Sequence, residues 1–403
     1  MSKTHQSSCA APASKPAGVL GASLCLPGLA TLTALTALTA LAPTAAQAEN
    51  APEKTTLAIK YGHYADSQPD LDRVSVNAPQ VYIQAPLSPE WAIEGSMVSD
   101  SVSGASPRMH TQVSGASRMS DHRKAGDVKL TRYLSRASVS VSATYSDEHD
   151  YTSRALGLEG RWSSDDNNRT WVLGVGGSSD TIDNTSNGVN TAINQHKRTR
   201  EIMAGVTQVL TPSDVVQFNL TRSVGKGYYN DPYKAFDVRP EQRNGWIAMA
   251  RWNHHIDRFD AALRTSYRYY RDTFGVTAHT LGTEWVQPVG RWTFTPGVRY
   301  YTQSAASFYL DPVFNASGQY DEGATVMRAA TTAGPKSMDQ RLSAFGAVTL
   351  SLKASHALSA QTTVDFKVER YRQTSGLRLG GSGSPGLAPF NATFVQVGLT
   401  HRF

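Results

Sequence analysis

Cysteine is nearly missing from this 403-residue chain: Cys9 and Cys25 are the two present, and both fall within the first 48 residues. The sequence beyond Ala48 therefore offers no disulfide, thiolate nucleophile or thiolate metal site. That suits an oxidising compartment, where a free thiol is a liability in transit. Long apolar runs are also lacking there. No segment approaches the roughly 18 consecutive apolar residues of a membrane helix. Nor does one sign of charge dominate. Lys and Arg total 39 against 33 Asp and Glu, spread along the chain, so no basic stripe marks a nucleic-acid surface.

Catalytic and metal-binding motifs are scarce as well. The nearest approach to a G-x-S-x-G elbow, Gly380-Gly381-Ser382-Gly383-Ser384, lacks the final glycine and reads as a loop tip. The one His-x-Ser run, His5-Gln6-Ser7, lies in the first 48 residues, and neither H-E-x-x-H nor an Asp-rich calcium loop occurs. His254 and His255 are adjacent, so on a strand they point to opposite faces. The expectation is a chain with no cofactor, no metal site and no enzymatic activity.

What is present divides into two parts. Residues 1–48 carry Lys3 and Lys15, then an Ala/Leu-rich run from Val19 to Ala42, then Ala46-Gln47-Ala48. A basic start, an apolar middle and a small-x-small site make a cleaved signal peptide, in preference to a permanent helical anchor. Leu24 before Cys25 argues against a lipoprotein. Removing the leader leaves 37 basic and 33 acidic residues, a net +4.

From residue 49 onward the period is two. Val139, Val141, Ala143 and Tyr145 alternate with Ser138, Ser140, Ser142 and Thr144, and Val364, Phe366 and Val368 alternate with Asp365, Lys367 and Glu369. A soluble sandwich also alternates, but two features favour a membrane barrel. The segments run about ten residues, and their connections sort into short and long by parity. The segmentation gives about sixteen strands (fourteen to eighteen), including 259–271 and 338–353, with 304–337 as the longest connection. Residues 49–403 are thus expected to form an all-β, antiparallel, up-and-down transmembrane barrel. Trp91, Trp162, Trp171, Trp252, Trp285 and Trp292 all fall near one end of their strands on the apolar face. That is the arrangement of an interfacial girdle.

The last strand reads Gln396-Val397-Gly398-Leu399-Thr400-His401-Arg402-Phe403. The terminal Phe403, with Leu399 and Val397 stepping back and Gln396 and Gly398 between, resembles the signal read by the outer-membrane barrel-assembly machinery; His401 departs from it. Several stretches resemble a bacterial outer-membrane family, domain of unknown function 3570. They are Asp100–Arg108, Glu148–Ala155, Tyr267-Arg268-Tyr269-Tyr270-Arg271-Asp272-Thr273-Phe274-Gly275 and Thr295–Tyr309. The resemblance implies an outer-membrane barrel in a Gram-negative cell and carries no established activity.

By parity the lumen receives Lys60, Lys129, Arg161, Arg251, Arg264, Arg268, Arg299, Lys367 and Arg402, opposed by Glu94, Glu159, Glu201, Asp260, Glu284, Asp365 and Glu369. Such a wall is costly unless hydrated or paired. A barrel near sixteen strands is wide enough for water. The leading functional expectation is a weakly selective channel for small polar solutes. The alternative is a closed structural or assembly barrel holding a periplasmic or surface partner, and an outer-membrane enzyme is a distant third.

Overall fold

A computed structural model describes residues 50–69, 71–105, 118–184 and 191–403. The leader lies outside the described residues, as do residues 113–117, where the sequence repeats the Val-Ser-Gly-Ala-Ser run of 102–106. The strands are β1 (Thr56–Gln68), β2 (Leu71–Ser88), β3 (Trp91–Ala105), β4 (Arg118–Tyr133), β5 (Ala137–Asp147), β6 (Tyr151–Ser163), β7 (Arg169–Asn184), β8 (Ala192–Thr211), β9 (Asp214–Gly227), β10 (Gln242–Ile256), β11 (Ala261–Asp272), β12 (Thr277–Val289), β13 (Trp292–Gln303), β14 (Phe345–Ala357), β15 (Thr362–Thr374) and β16 (Phe390–Arg402). Each pairs antiparallel with its sequence neighbours, and β1 pairs with β16 from Thr56↔Arg402 to Ser67↔Asn391. The sheet is a closed barrel of sixteen strands.

The alternation sets which face meets which solvent. On β5, Val139 and Val141 are 43% and 55% exposed, whereas Ser138 and Ser140 are 3% and 8%. On β1, Ile59 and Tyr61 are half exposed while Lys60 is 6% exposed. A water-soluble fold reverses this order. Apolar outside and polar inside is the pattern of a barrel solvated by lipid, in which closure also leaves no unpaired strand edge. Leu350, 58% exposed on the outward face of β14, tests that reading. A Leu350→Arg substitution is expected to cost about 2–4 kcal/mol in denaturant unfolding from lipid, where an exposed position of a soluble protein tolerates it almost without cost.

Tight connections gather at one end of the barrel: 89–90, 134–136, 164–168, 212–213, 257–260, 290–291 and 358–361. The other end holds the long ones, 228–241, 304–344 and 375–389, together with the short 148–150 and 273–276. The 304–344 connection contains a helix, α1 (Glu322–Thr331), whose N-cap Asp321 accepts from the Ala324 amide at 2.9 Å.

Two expectations are corrected. Strand fourteen begins at Phe345 rather than 338. The Asp339 side chain accepts from the Arg341 amide and caps a single 3-10 turn, Gln340–Leu342, and Met338 and Leu342 are buried at 4% each. Their apolarity belongs to loop packing. Asp260 lies outside β11, in the tight turn that precedes it, so strand parity does not place its side chain. It stands in a left-handed conformation (φ 45°) just after the 3-10 turn Asp257–Phe259, with its exposed carboxylate 3.9 Å from the His255 ring.

Candidate functional site

The inner wall is built by the polar half of each strand. Arg264 on β11 stands in register with Glu284 on β12, and Arg299 on β13 with Gly282 on β12. The Arg268 guanidinium lies 5.6 Å from the Tyr270 ring centre. Lys367 and Glu369 pair at 2.9 Å, Lys129 and Glu94 at 3.0 Å, Arg161 and Glu159 at 2.7 Å. Asp365 sits opposite Gly398, and a Cβ on that glycine would come within 2.6 Å of the carboxylate, so the small residue makes room for the charge. Two pairs of adjacent tyrosines, Tyr269-Tyr270 and Tyr300-Tyr301, split across the wall. Tyr270 and Tyr301 turn inward, bonding Asp272 at 2.7 Å and Gln303 at 2.6 Å.

Pairing does not exhaust these groups. Asp127, Glu284 and Arg299 face inward by strand parity and are nevertheless solvent-exposed. Deeper in the wall, Asp365 Oδ1, Gln396 Nε2, Thr400 Oγ1 and Asn219 Oδ1 are buried without a hydrogen-bond partner among the described residues. Polar atoms in that position are ordinarily satisfied by water.

On the outward face Trp162 and Trp171 stack across β6–β7 with ring centres 6.1 Å apart. Trp292 stacks on Phe294 at 5.8 Å, Trp285 meets Phe259 at 6.0 Å, Trp91 lies under Arg132 at 5.6 Å, and the Trp252 indole donates to Asp214 at 2.8 Å. All six of these tryptophans stand at the tight-turn end. In β16, Gln396 and Gly398 are buried on the inner face, while Leu399 and Phe403 are 44% and 64% exposed. The His401 ring packs edge-on against Phe403 at 4.7 Å, an aromatic contact at the position where the assembly pattern departs from usual.

At the end that carries the long connections these segments interlock, and the residues involved were not singled out from sequence. Asp339 is fully buried and receives the Arg239 guanidinium at 2.8 Å. Arg341 bonds both Asp339 and Asp231, and Arg239 also holds Asp237 at 2.7 Å. Burial alone would raise the Asp339 carboxyl, but the Arg341 and Arg239 guanidiniums hold it well below the usual carboxylate range. Its depressed value means the interaction is present above the ordinary Asp pKa and is lost only as pH falls through the lower folded value. The latch therefore persists in mild acid. Val238 and Lys336 exchange backbone bonds, and Gln340 reaches Gln68 at the end of β1 at 3.2 Å. Counted round the ring, the β9–β10 and β1–β2 connections are eight strand positions apart, on opposite sides. The 304–344 segment touches both. An aromatic and cationic band runs beneath it. Lys197 pairs with Asp180 at 3.1 Å, and Arg243 pairs with Asp272 at 2.7 Å while lying over Phe274 at 4.8 Å.

A family model for proteins of unknown function, DUF3570, matches residues 19–119 and 111–394. The chain belongs to the DUF3570 family. No curated protein matches this DUF3570 chain. Among solved structures it is similar to a bacterial polysaccharide outer membrane secretin at 9% identity, covering 87% of this chain and 98% of that one, with a TM-score of 0.48. The CymD monoaromatic hydrocarbon channel matches at 12% identity, 87% and 89% coverage and a TM-score of 0.41. The outer membrane protein OpdK of Pseudomonas aeruginosa matches at 8% identity, 87% and 100% coverage and a TM-score of 0.43. Among the described residues of the DUF3570 chain no group of three or more His, Cys, Asp or Glu is placed to hold a metal ion.

Proposed function

We propose that this barrel is an outer-membrane channel for small polar solutes, water-filled along its wall and narrowed at the outer mouth by the 304–344 connection. The observation that carries the reading is the solvent exposure of the inward-facing Asp127, Glu284 and Arg299. A barrel sealed by its own side chains would bury them, at a desolvation cost that their pairing does not offset. The near balance of basic and acidic groups on the wall favours weak selectivity. In this reading residues 1–48 are removed after export, β16 is the strand recognised by the assembly machinery, and the protein performs no chemistry on its solute. The purified barrel in a planar bilayer is expected to give discrete ohmic conductance steps. A membrane that stays silent over many insertions would favour the closed structural barrel, which the buried Asp339–Arg341 latch also fits.

Orientation has its own check. With the long connections outside, protease added to intact cells should cut at 378–383, where Leu379 is 71% exposed. It should spare the tight turn at 164–168. Cleavage at Asp165 or Asp166 instead would invert the barrel in its membrane.

A further inference from the structure

The outward face of β8 and β9 carries cations that nothing among the described residues neutralises. Arg198 and Lys226 are register partners on adjacent strands, and Arg200 is paired with Val224, one step nearer the belt on the same face. All three side chains are exposed, and among the described residues none has an ion-pair or hydrogen-bond partner. Like charges directly opposite on neighbouring strands are destabilising. Several cations at the tight-turn rim, by contrast, have partners: Arg136 is paired with Asp165, Arg132 with Glu90 at 3.8 Å, and Arg169 bonds Gln208 at 2.6 Å. The unpaired cluster is confined to the long-loop rim. Its nearest outward carboxylate along β7, Asp183, lies beyond Ser179, the register partner of Arg198.

Its height is also defined. Arg222, in register with Trp246, lies 5.0 Å from that indole and donates to the Gly245 carbonyl at 3.4 Å. Ten positions separate Gln242, the register partner of Lys226, from the lower-girdle Trp252 on β10. At ~3.4 Å per residue and a tilt of about 40° they span roughly 26 Å, close to the height of a barrel's apolar belt. Arg198 and Lys226 therefore stand where the outer leaflet's acyl chains meet their headgroups, with exposed Ile202, Leu220 and Phe218 beneath them.

We infer that this face binds the phosphorylated headgroup of an outer-leaflet glycolipid of the lipopolysaccharide type. Arg198, Arg200 and Lys226 hold its phosphates, and Ile202, Leu220 and Phe218 receive its acyl chains. Charge complementarity supplies the choice: a bridging phosphate turns a repulsive pair into charge-assisted bonds. The inference rests on the outer-membrane placement proposed above and not on conduction, so a barrel that proved closed would leave it standing.

The test titrates the folded full-length protein in nanodiscs with diphosphorylated lipid A, dephosphorylated lipid A and inorganic phosphate. The wild type is expected to prefer the diphosphorylated lipid. The triple variant Arg198→Gln, Arg200→Gln, Lys226→Gln is expected to bind it at least about tenfold more weakly, while its heat-modifiable gel shift and its conductance stay as in the wild type. Arg198→Lys with Arg200→Lys should stay within about threefold of wild type, because the charge remains. Equal binding by the triple variant, or equal binding of the dephosphorylated lipid, overturns the proposal. Displacement of the lipid by millimolar inorganic phosphate shows a free-anion site and overturns it as well. If the triple variant fails to fold, Arg200→Gln alone is measured against the same thresholds, about threefold for a single charge.

Discussion

Replacing residues 311–336 by a short Gly/Ser linker should raise single-channel conductance by about twofold or more, since a sixteen-stranded wall encloses an aqueous bore wider than any gap beneath a crossing segment. The deletion removes α1 and the Val238–Lys336 bridge but keeps the ends that continue into β13 and β14. A point change reaches the same end by another route. Asp339→Ala leaves the half-buried Arg239 and Arg341 without their shared carboxylate but still beside Asp237 and Asp231, so the loss falls at or below the low end of the range for a broken buried pair, about 3 kcal/mol. That is enough to release the segment locally without unfolding the sheet, whose strands bond one another independently of it. Openings should become longer or noisier in Asp339→Ala and permanently wider in the deletion. Conductance identical to wild type in both would remove the connection from its role as the constriction.

The second large effect concerns charge. Arg264, Arg268 and Arg299 lie on β11 and β13 facing a common stretch of lumen, and Glu284 is the acid among them on β12. Changing all three to Glu alters the local charge by six units within about 10 Å, comparable with the Debye length at 0.1 M salt. The wild-type reversal potential in a tenfold salt gradient should lean slightly to anions. That of the triple variant should move to clear cation preference, and the shift should shrink as ionic strength rises. Arg299→Glu alone should move it part-way, because Arg299 is the exposed member of the group. An unmoved potential would mean that ions do not pass this wall.

Most of the barrel was legible in the sequence because a two-residue period leaves little freedom. Once Val139 and Val141 are assigned outward, Ser138 and Ser140 must face in, and register follows strand by strand. The places where reading failed lack that period. Met338 and Leu342 are apolar because 304–344 packs on itself and its neighbours, and a run ending in Phe345-Gly346-Ala347-Val348 looks like strand from either side. Asp260 falls in step with Arg264 and Arg268 but sits beyond the strand edge, where a left-handed residue ends the turn. The Asp339 latch depends on contacts with Asp231 and Arg239, about a hundred residues away, and no local pattern encodes these. The wall is a local property of strands. The mouth is a tertiary one.

The β1–β16 seam has a consequence for how the protein comes into being. Leu57 and His401 are neighbours in space and nearly the full described chain apart in sequence. The seam is therefore the contact with the largest loop to close, and contacts of such separation form late. Until it forms, every partially paired state carries two raw strand edges, the feature most prone to join another molecule's sheet. A ribosome-order folding route, in which early segments finish before later ones arrive, is closed to this architecture. Fifteen correctly paired strands still present an open sheet. The time spent waiting for β16 is the interval of greatest hazard, and a single lesion in that strand leaves the whole molecule with edges to share.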